Sequence, residues 1–208
     1  MEKIYLSDKD KSIMEYNFYA TIARMKYIER WALMRNTQAE TLSEHSLEVS
    51  MIAHALCVIG NVRYGKNLNQ EKAALIGIYH DASEIITGDM PTPVKYYNKN
   101  IKEAFKSLEE EANHNLLKQV PQDLRGAYDD IFFKTQELSY EWKLVKAADK
   151  ISAMIKCMEE EKTGNREFIK AKEATEQTLL KMTEEMPEVK DFIEEFLPAY
   201  AKTLDELN

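Results

Sequence analysis

Apolar positions in this chain recur at three- and four-residue steps over most of its length, the period of helices that bury one face. In residues 12–29 the stripe is Ile13, Tyr16, Ala20, Ala23 and Tyr27, which predicts a first helix. Residues 30–38 break the period. Thr41 and Glu44 then have the spacing of a capping box, whose side chains satisfy amides left unpaired at a helix start. The second helix runs to about residue 62 with His45, Val49, Ile52, Leu56 and Ile59 on one face, so an imidazole occupies the first turn of an apolar stripe. Asn69 is placed to cap a third helix through Ala73, Ile76, Gly77 and His80, which ends at Thr87, Gly88 and Asp89 with Pro91 and Pro93 behind it. Further helices are predicted over 98–120, from near Pro121, and over 139–160, 165–185 and 188–207. No repeat or linker divides the chain, and the expectation is a single all-α domain, 1–208, of seven to eight helices.

Composition agrees. Of 208 residues, 44% are apolar and 31% charged, a globular balance that fits neither a disordered nor a membrane-embedded chain. Six glycines and five prolines are too few for the turns of a many-stranded fold. A formal charge of −8 and a pI near 5.2 argue against a surface that coats a polyanion, so no nucleic-acid polymer is expected as a partner. One small phosphate ligand held by local cations remains compatible. Cys57 and Cys157 lie in apolar helical patterns, as free thiols of a reducing compartment do, which points to the cytoplasm. The N-terminal residues hold no signal-type apolar core. The longest apolar stretch, 51–60, is interrupted by His54 and too short to span a bilayer, so no membrane association is expected.

The sharpest local feature is the run His80, Asp81, Ala82, Ser83, Glu84. Adjacent helical residues point about 100° apart, yet an imidazole and a carboxylate so placed can approach one cation from two sides. His45 and Asp149 offer two more ligand atoms from inward helix faces. Asp149 adjoins the apolar stripe of its helix, where a carboxylate is costly to bury unless it is paired or binds a cation. A salt bridge with Lys146 or Lys150 would serve equally, as would exposure at the stripe's border. For His45 the plain alternative is a hydrogen bond to backbone. His54 continues a Leu47, Met51, Val58 stripe and reads as a core histidine, while His114 follows an acidic run and reads as solvated.

His45, His80-Asp81 and Asp149, spread over three helices, resemble the HD superfamily of metal-dependent phosphohydrolases. The segments RWALMRN (30–36), SEHSLEVSMIAHAL (43–56), YHDASEIITGDMPTPVKYYN (79–98) and KAADKISAMIKCMEE (146–160) resemble the YfbR-type 5′-deoxynucleotidases. The likeness runs from about residue 18 to 204, and residues 1–11 look like an N-terminal extension. It implies an HD-type helical bundle whose His45, His80, Asp81 and Asp149 bind one divalent ion, Co²⁺ or Mn²⁺, in keeping with mixed imidazole and carboxylate donors. It implies deoxyribonucleoside 5′-monophosphates as substrates and a homodimer. Glu84 would take or relay the proton of the attacking water, with Asp81 also in the catalytic set; its plain alternative is a surface residue paired with a lysine. Arg30 would orient the phosphate, and Trp31 would wall off the sugar and disfavour a 2′-hydroxyl; alone, this tryptophan reads as a core or interface anchor. His45, Ser46, Asp81, Asp89, Pro91 and Thr92 complete the implied substrate pocket, although an aspartate after glycine often bonds its own turn.

Three competing functions are weaker. Hydrolases of guanosine alarmones carry Asp after the catalytic Glu, whereas Ile85 follows Glu84; the GYP element of cyclic-dinucleotide hydrolases is absent. A silent nucleotide-binding HD domain is disfavoured by the presence of all four ligand residues and Glu84.

Overall fold

The computed structural model describes residues 16–95 and 97–207. In chain order the helices are α1 (Phe18–Ile22), α2 (Leu42–Tyr64), α3 (Gln70–Tyr79), α4 (Glu84–Thr87), α5 (Thr92–Lys95), α6 (Lys99–Lys118), α7 (Asp129–Phe132), α8 (Ser139–Lys162), α9 (Ile169–Glu185) and α10 (Pro187–Glu195). Short 3₁₀ segments fill several junctions. Among the described residues no strand forms, and the one isolated β-bridge joins Glu29 to Thr41. The all-α expectation holds; four of the helices have only four or five residues, and of these only α5 falls outside the predicted segments.

α2 is the axis of the molecule. Its capping box forms as predicted, the Thr41 hydroxyl accepting from Glu44 N–H and Glu44 accepting from Thr41 N–H. The predicted stripe from His45 to Ile59 is buried and packs with Ile76 of α3, with Leu144, Ile151 and Ile155 of α8, and with Val189 and Phe192 of α10. α3 crosses α2 so closely that a Cβ on Gly77 would lie 2.7 Å from Ser50 Cα, and only glycine permits that approach. A second cluster, Phe18, Ala82, Leu116, Val120, Ile131 and Phe132, lies beneath the turn after α3.

Four predicted elements are corrected. Residues 12–15 of the first helix lie outside the described residues. The remainder is α1 followed by a 3₁₀ segment, Ala23–Tyr27, which buries Phe18 and Met25 and leaves Tyr16, Ala20, Ala23 and Tyr27 exposed. Phe18 wins the interior because it stacks with Tyr79, Tyr128 and Phe132. The third helix stops at Tyr79: Ala82 N–H bonds Tyr79 O and Glu84 N–H bonds Asp81 O, a tighter winding that carries residues 80–83. The segment expected from Pro121 becomes helical later, as a 3₁₀ turn at Arg125–Ala127 and then α7. The last helix ends at Glu195, since Pro198 has no N–H to continue the ladder.

Three side-chain expectations also meet the structure here. His54 is exposed, as are Leu47 and Met51, so that stripe lies on the surface. α2 is long and apolar enough by length and composition to cross a membrane, unlike the shorter run considered above, yet more than half of that stretch is buried against other helices. Cys57 and Cys157 are buried free thiols, raised by burial to about 12 and about 11.

Candidate metal centre

The tautomers of the two histidines follow from their neighbours. His45, fully buried in the first turn of α2, faces Ser152 of α8, with Nδ1 2.9 Å from Oγ. Ser152 already donates its hydroxyl proton to Glu48 Oε2 at 2.6 Å, so it accepts from His45 Nδ1–H. His80 Nδ1–H donates to Gly77 O at 2.8 Å. Each ring is therefore fixed by its Nδ1 proton and presents a bare Nε2, the arrangement of metal-ligating histidines.

Both bare nitrogens meet carboxylate oxygens. His80 Nε2 lies 2.9 Å from Asp81 Oδ2, and His45 Nε2 lies 3.6 Å from that oxygen and 3.4 Å from Asp149 Oδ1. Ligand atoms of His45, His80 and Asp81 all fall within 4.8 Å of one another. Neither Nε2 has a hydrogen-bond partner. Lone pairs on nitrogen and oxygen repel at such distances unless a proton or a cation lies between them. Without a cation the protons respond. Burial opposes charge on His80, but Asp81 beside it prevails and raises its pKa; burial likewise opposes ionised Asp81, which His80 and His45 hold well below the usual carboxylate range. Asp149 is lowered too, burial being outweighed by His45 and Lys150. The salt bridge anticipated for Asp149 exists, Lys150 Nζ to Oδ2 at 3.0 Å, and leaves Oδ1 facing His45 Nε2, at the edge of the group formed by His45, His80 and Asp81. Two bare imidazole nitrogens and two ionised carboxylates fit a divalent ion of borderline character.

Three further residues surround this group. Arg30 has a largely buried side chain, with Nη1 3.7 Å from Glu40 and Nη2 4.0 Å from Asp149 Oδ1. Its Nε and Nη1 have no hydrogen-bond partner, so donors remain for an anion. Burial disfavours its charge, but Glu40, Asp149, Asp81 and Asp89 together raise its pKa. Glu84, expected on the helix that carries His80 and Asp81, starts α4 instead and is only 5% exposed, with Oε2 unpartnered. It is no surface residue. Burial, and then the charges of Asp81 and Asp89, push its pKa up to about 10. Gly88, at φ 71° and ψ 162°, a region open essentially to glycine alone, turns the chain into Asp89.

Asp89 bonds not its own turn but Trp31, whose N–H it accepts at 3.1 Å. Trp31 is held at φ 59°, a left-handed conformation that costs a bulky residue about 1–2 kcal/mol. Ser46 is buried with an unpartnered hydroxyl. Pro91 is half-buried and Thr92 exposed at the head of α5. His114 is exposed, as expected, with its ring 4.5 Å from Phe133. The sequence reading missed Glu40, Glu48 and Ser152. Ser152 follows Asp149 by three residues on α8, and Glu48 follows His45 by three on α2, so helical spacing alone could have marked both.

The helical bundle and this constellation define an HD-domain phosphohydrolase. A solved HD-domain phosphohydrolase from Listeria innocua superposes with a TM-score of 0.75 at 25% identity, covering 88% of each chain. A 5′-deoxynucleotidase from Erwinia tasmaniensis is 46% identical over 192 residues, 92% of this chain and 96% of that one. One from Vibrio parahaemolyticus is 42% identical over 194 residues, 93% and 99% of the two chains. The sequence model of the YfbR-like 5′-deoxynucleotidases matches residues 17–200, and the chain belongs to that family.

Proposed function

We propose that the protein hydrolyses deoxyribonucleoside 5′-monophosphates to the deoxyribonucleoside and inorganic phosphate, with one divalent ion, Co²⁺ or Mn²⁺, held by His45, His80, Asp81 and Asp149. The observation that carries this reading is the pair of bare Nε2 atoms facing two ionised carboxylates in a chain of this family. When bound, the ion supplies Lewis-acid polarisation of the phosphate and eases deprotonation of water.

The chain's own residues do the rest. Arg30 offers its unpartnered donors to the phosphate oxygens and aligns the ester for in-line displacement. Water adds to phosphorus, the bond from phosphorus to the 5′-oxygen breaks, and the departing oxygen takes a proton. Glu84, whose buried carboxyl holds a proton readily, is the group that exchanges it with the reacting oxygens. Trp31 and Asp89, with Ser46, Pro91 and Thr92, form the nucleoside side of the pocket. The indole would crowd a 2′-hydroxyl and strip it of water without giving it a partner, a mismatch worth about 1–3 kcal/mol.

The protein is read as a cytoplasmic homodimer. Its buried free thiols support a reducing compartment. The exposed row Leu47, Met51 and Val62 along α2 supports pairing with a second copy.

The test is to strip divalent ions, restore them singly, and measure phosphate release from ribo- and deoxyribonucleoside monophosphates. Release from the deoxy compounds only with an ion restored is the expected result. No release with any ion, or equal rates on both sugars, would overturn the reading.

A further inference from the structure

Residues 30–40 form a loop closed at its base and latched at its tip. Arg30 N–H bonds Glu40 O at 2.9 Å and Leu42 N–H bonds Ile28 O at 2.8 Å, so the two ends meet beside the candidate metal centre. At the tip, buried Glu160 accepts from Thr37 N–H at 3.0 Å and from its hydroxyl at 2.7 Å, and it is neutralised by Lys156 at 2.5 Å. The loop is therefore a rigid bracket, and the residue it presents first is Trp31.

Within its own turn Trp31 accepts at its carbonyl from Met34 N–H and Asn36 Nδ2 and has the Arg30 guanidinium 5.9 Å from its ring centre; three further contacts fix it. Asp89 takes its main-chain N–H, and Phe168 packs 5.3 Å from the indole, ring centre to ring centre. The third is Glu40, whose Oε2 accepts the indole Nε1–H at 2.9 Å. The same carboxylate lies 3.7 Å from Arg30 Nη1, and its other oxygen lies 3.9 Å from His45 Nδ1. One side chain thus stands between the residues read as facing sugar, phosphate and metal. A left-handed tryptophan persists only where its surroundings over-determine it, and of the three contacts only Glu40 holds the indole's polar edge.

We infer that Glu40 is a positioning residue for sugar selection: its hydrogen bond to Nε1 sets the indole plane of Trp31 against the sugar, separately from its charge beside Arg30. This rests on the substrate reading above. Two substitutions separate the roles. Glu40→Gln keeps an acceptor for Nε1–H and loses the charge, whereas Glu40→Ala loses both. A change of charge beside Arg30 acts on the phosphate, which both sugars share, so it moves their rates together; because Arg30 also lies 5.9 Å from the Trp31 ring centre, the ring mobility of Glu40→Gln is the control for that second contact. A tilted indole moves them apart.

The experiment measures kcat/KM for deoxyadenosine and adenosine 5′-monophosphates on metal-loaded enzyme, with metal content determined for each variant. Glu40→Ala should lower the deoxy-to-ribo ratio about tenfold, Glu40→Gln should keep it within about twofold, and Glu40→Ala added to Trp31→Ala should lower it no further. If Trp31→Ala collapses the ratio and Glu40→Ala leaves it at the wild-type value, the assignment is overturned. A wild type with no deoxy preference overturns the substrate reading instead. Positioning has its own readout: in a Trp142→Phe background, fluorescence anisotropy should report a mobile Trp31 ring in Glu40→Ala and a fixed one in Glu40→Gln. A ring equally fixed in both overturns the inference whatever the substrate.

Discussion

At the residue scale the site is a problem in lone pairs and protons. His80 and Asp81, His45 and Asp81, and His45 and Asp149 face one another at 2.9–3.6 Å, and the histidine tautomers leave no Nε2 proton to share. Alanine at His45, His80, Asp81 or Asp149 should abolish stoichiometric metal, read by elemental analysis, together with phosphatase activity, while the protein stays helical; full metal in any variant removes that residue from the ligand set. Glu84 gives a pH-dependent signature. Its folded pKa, about 10, stands above the unfolded value of 4.5, so folding favours the protonated form. That stabilisation is complete below about pH 4.5 and is lost as pH rises toward 10. In chelator, Glu84→Gln should therefore raise Tm relative to wild type more at pH 8 than at pH 5, and a difference independent of pH would contradict the buried assignment. With metal restored the same variant should lose about 10²–10⁴-fold in kcat and keep its metal. His45, His80, Asp81, Asp149 and Glu84 were all legible in the sequence as candidates. What spacing left open was which atom of each does what, because that depends on Ser152, Glu48 and Gly77 O, partners contributed by the fold.

At the scale of elements, two junctions position the candidate ligands. The capping box at Thr41 starts α2 one turn before His45, and Thr41→Ala should cost about 1 kcal/mol in denaturant unfolding. The crossing at Gly77 sets the separation of α3 from α2, and hence of His80 from His45. Gly77→Ala should destabilise by about 1–3 kcal/mol, because the added methyl meets backbone rather than a side chain that can swing away. It should also weaken metal binding in titration, and an unchanged affinity would mean that the helices slide without moving the rings. The cap was readable from Thr41 and Glu44. The break after Tyr79 was not: residues 77–87 keep a helical pattern, and the chain rewinds there because His80 turns its ring back to Gly77 O while Ala82 plugs the aromatic cluster below.

At the scale of the whole molecule, the outer surface of α2 is the proposed pairing face. Leu47, Met51 and Val62 are 59%, 58% and 78% exposed on a helix whose opposite face is the core. Met51→Glu should convert a dimer to monomers in sedimentation, and a wild type already monomeric at high concentration would refute the pairing. The sequence alone determined the all-helical class, because the 3.6-residue period and the scarcity of glycine and proline are local properties that burial only reinforces. It also singled out His45, His80, Asp81 and Asp149 as candidate ligands, through their match to the HD pattern rather than through their helical stripes, which a salt bridge or a backbone hydrogen bond would have satisfied equally. It misjudged the stripe of His54, because α2 is apolar nearly all round and period cannot say which face meets the core. Only the tertiary structure decided that face, the bare Nε2 atoms, and Glu40 between Trp31, Arg30 and His45. Those depend on distances between helices far apart in the chain, and no local pattern encodes them.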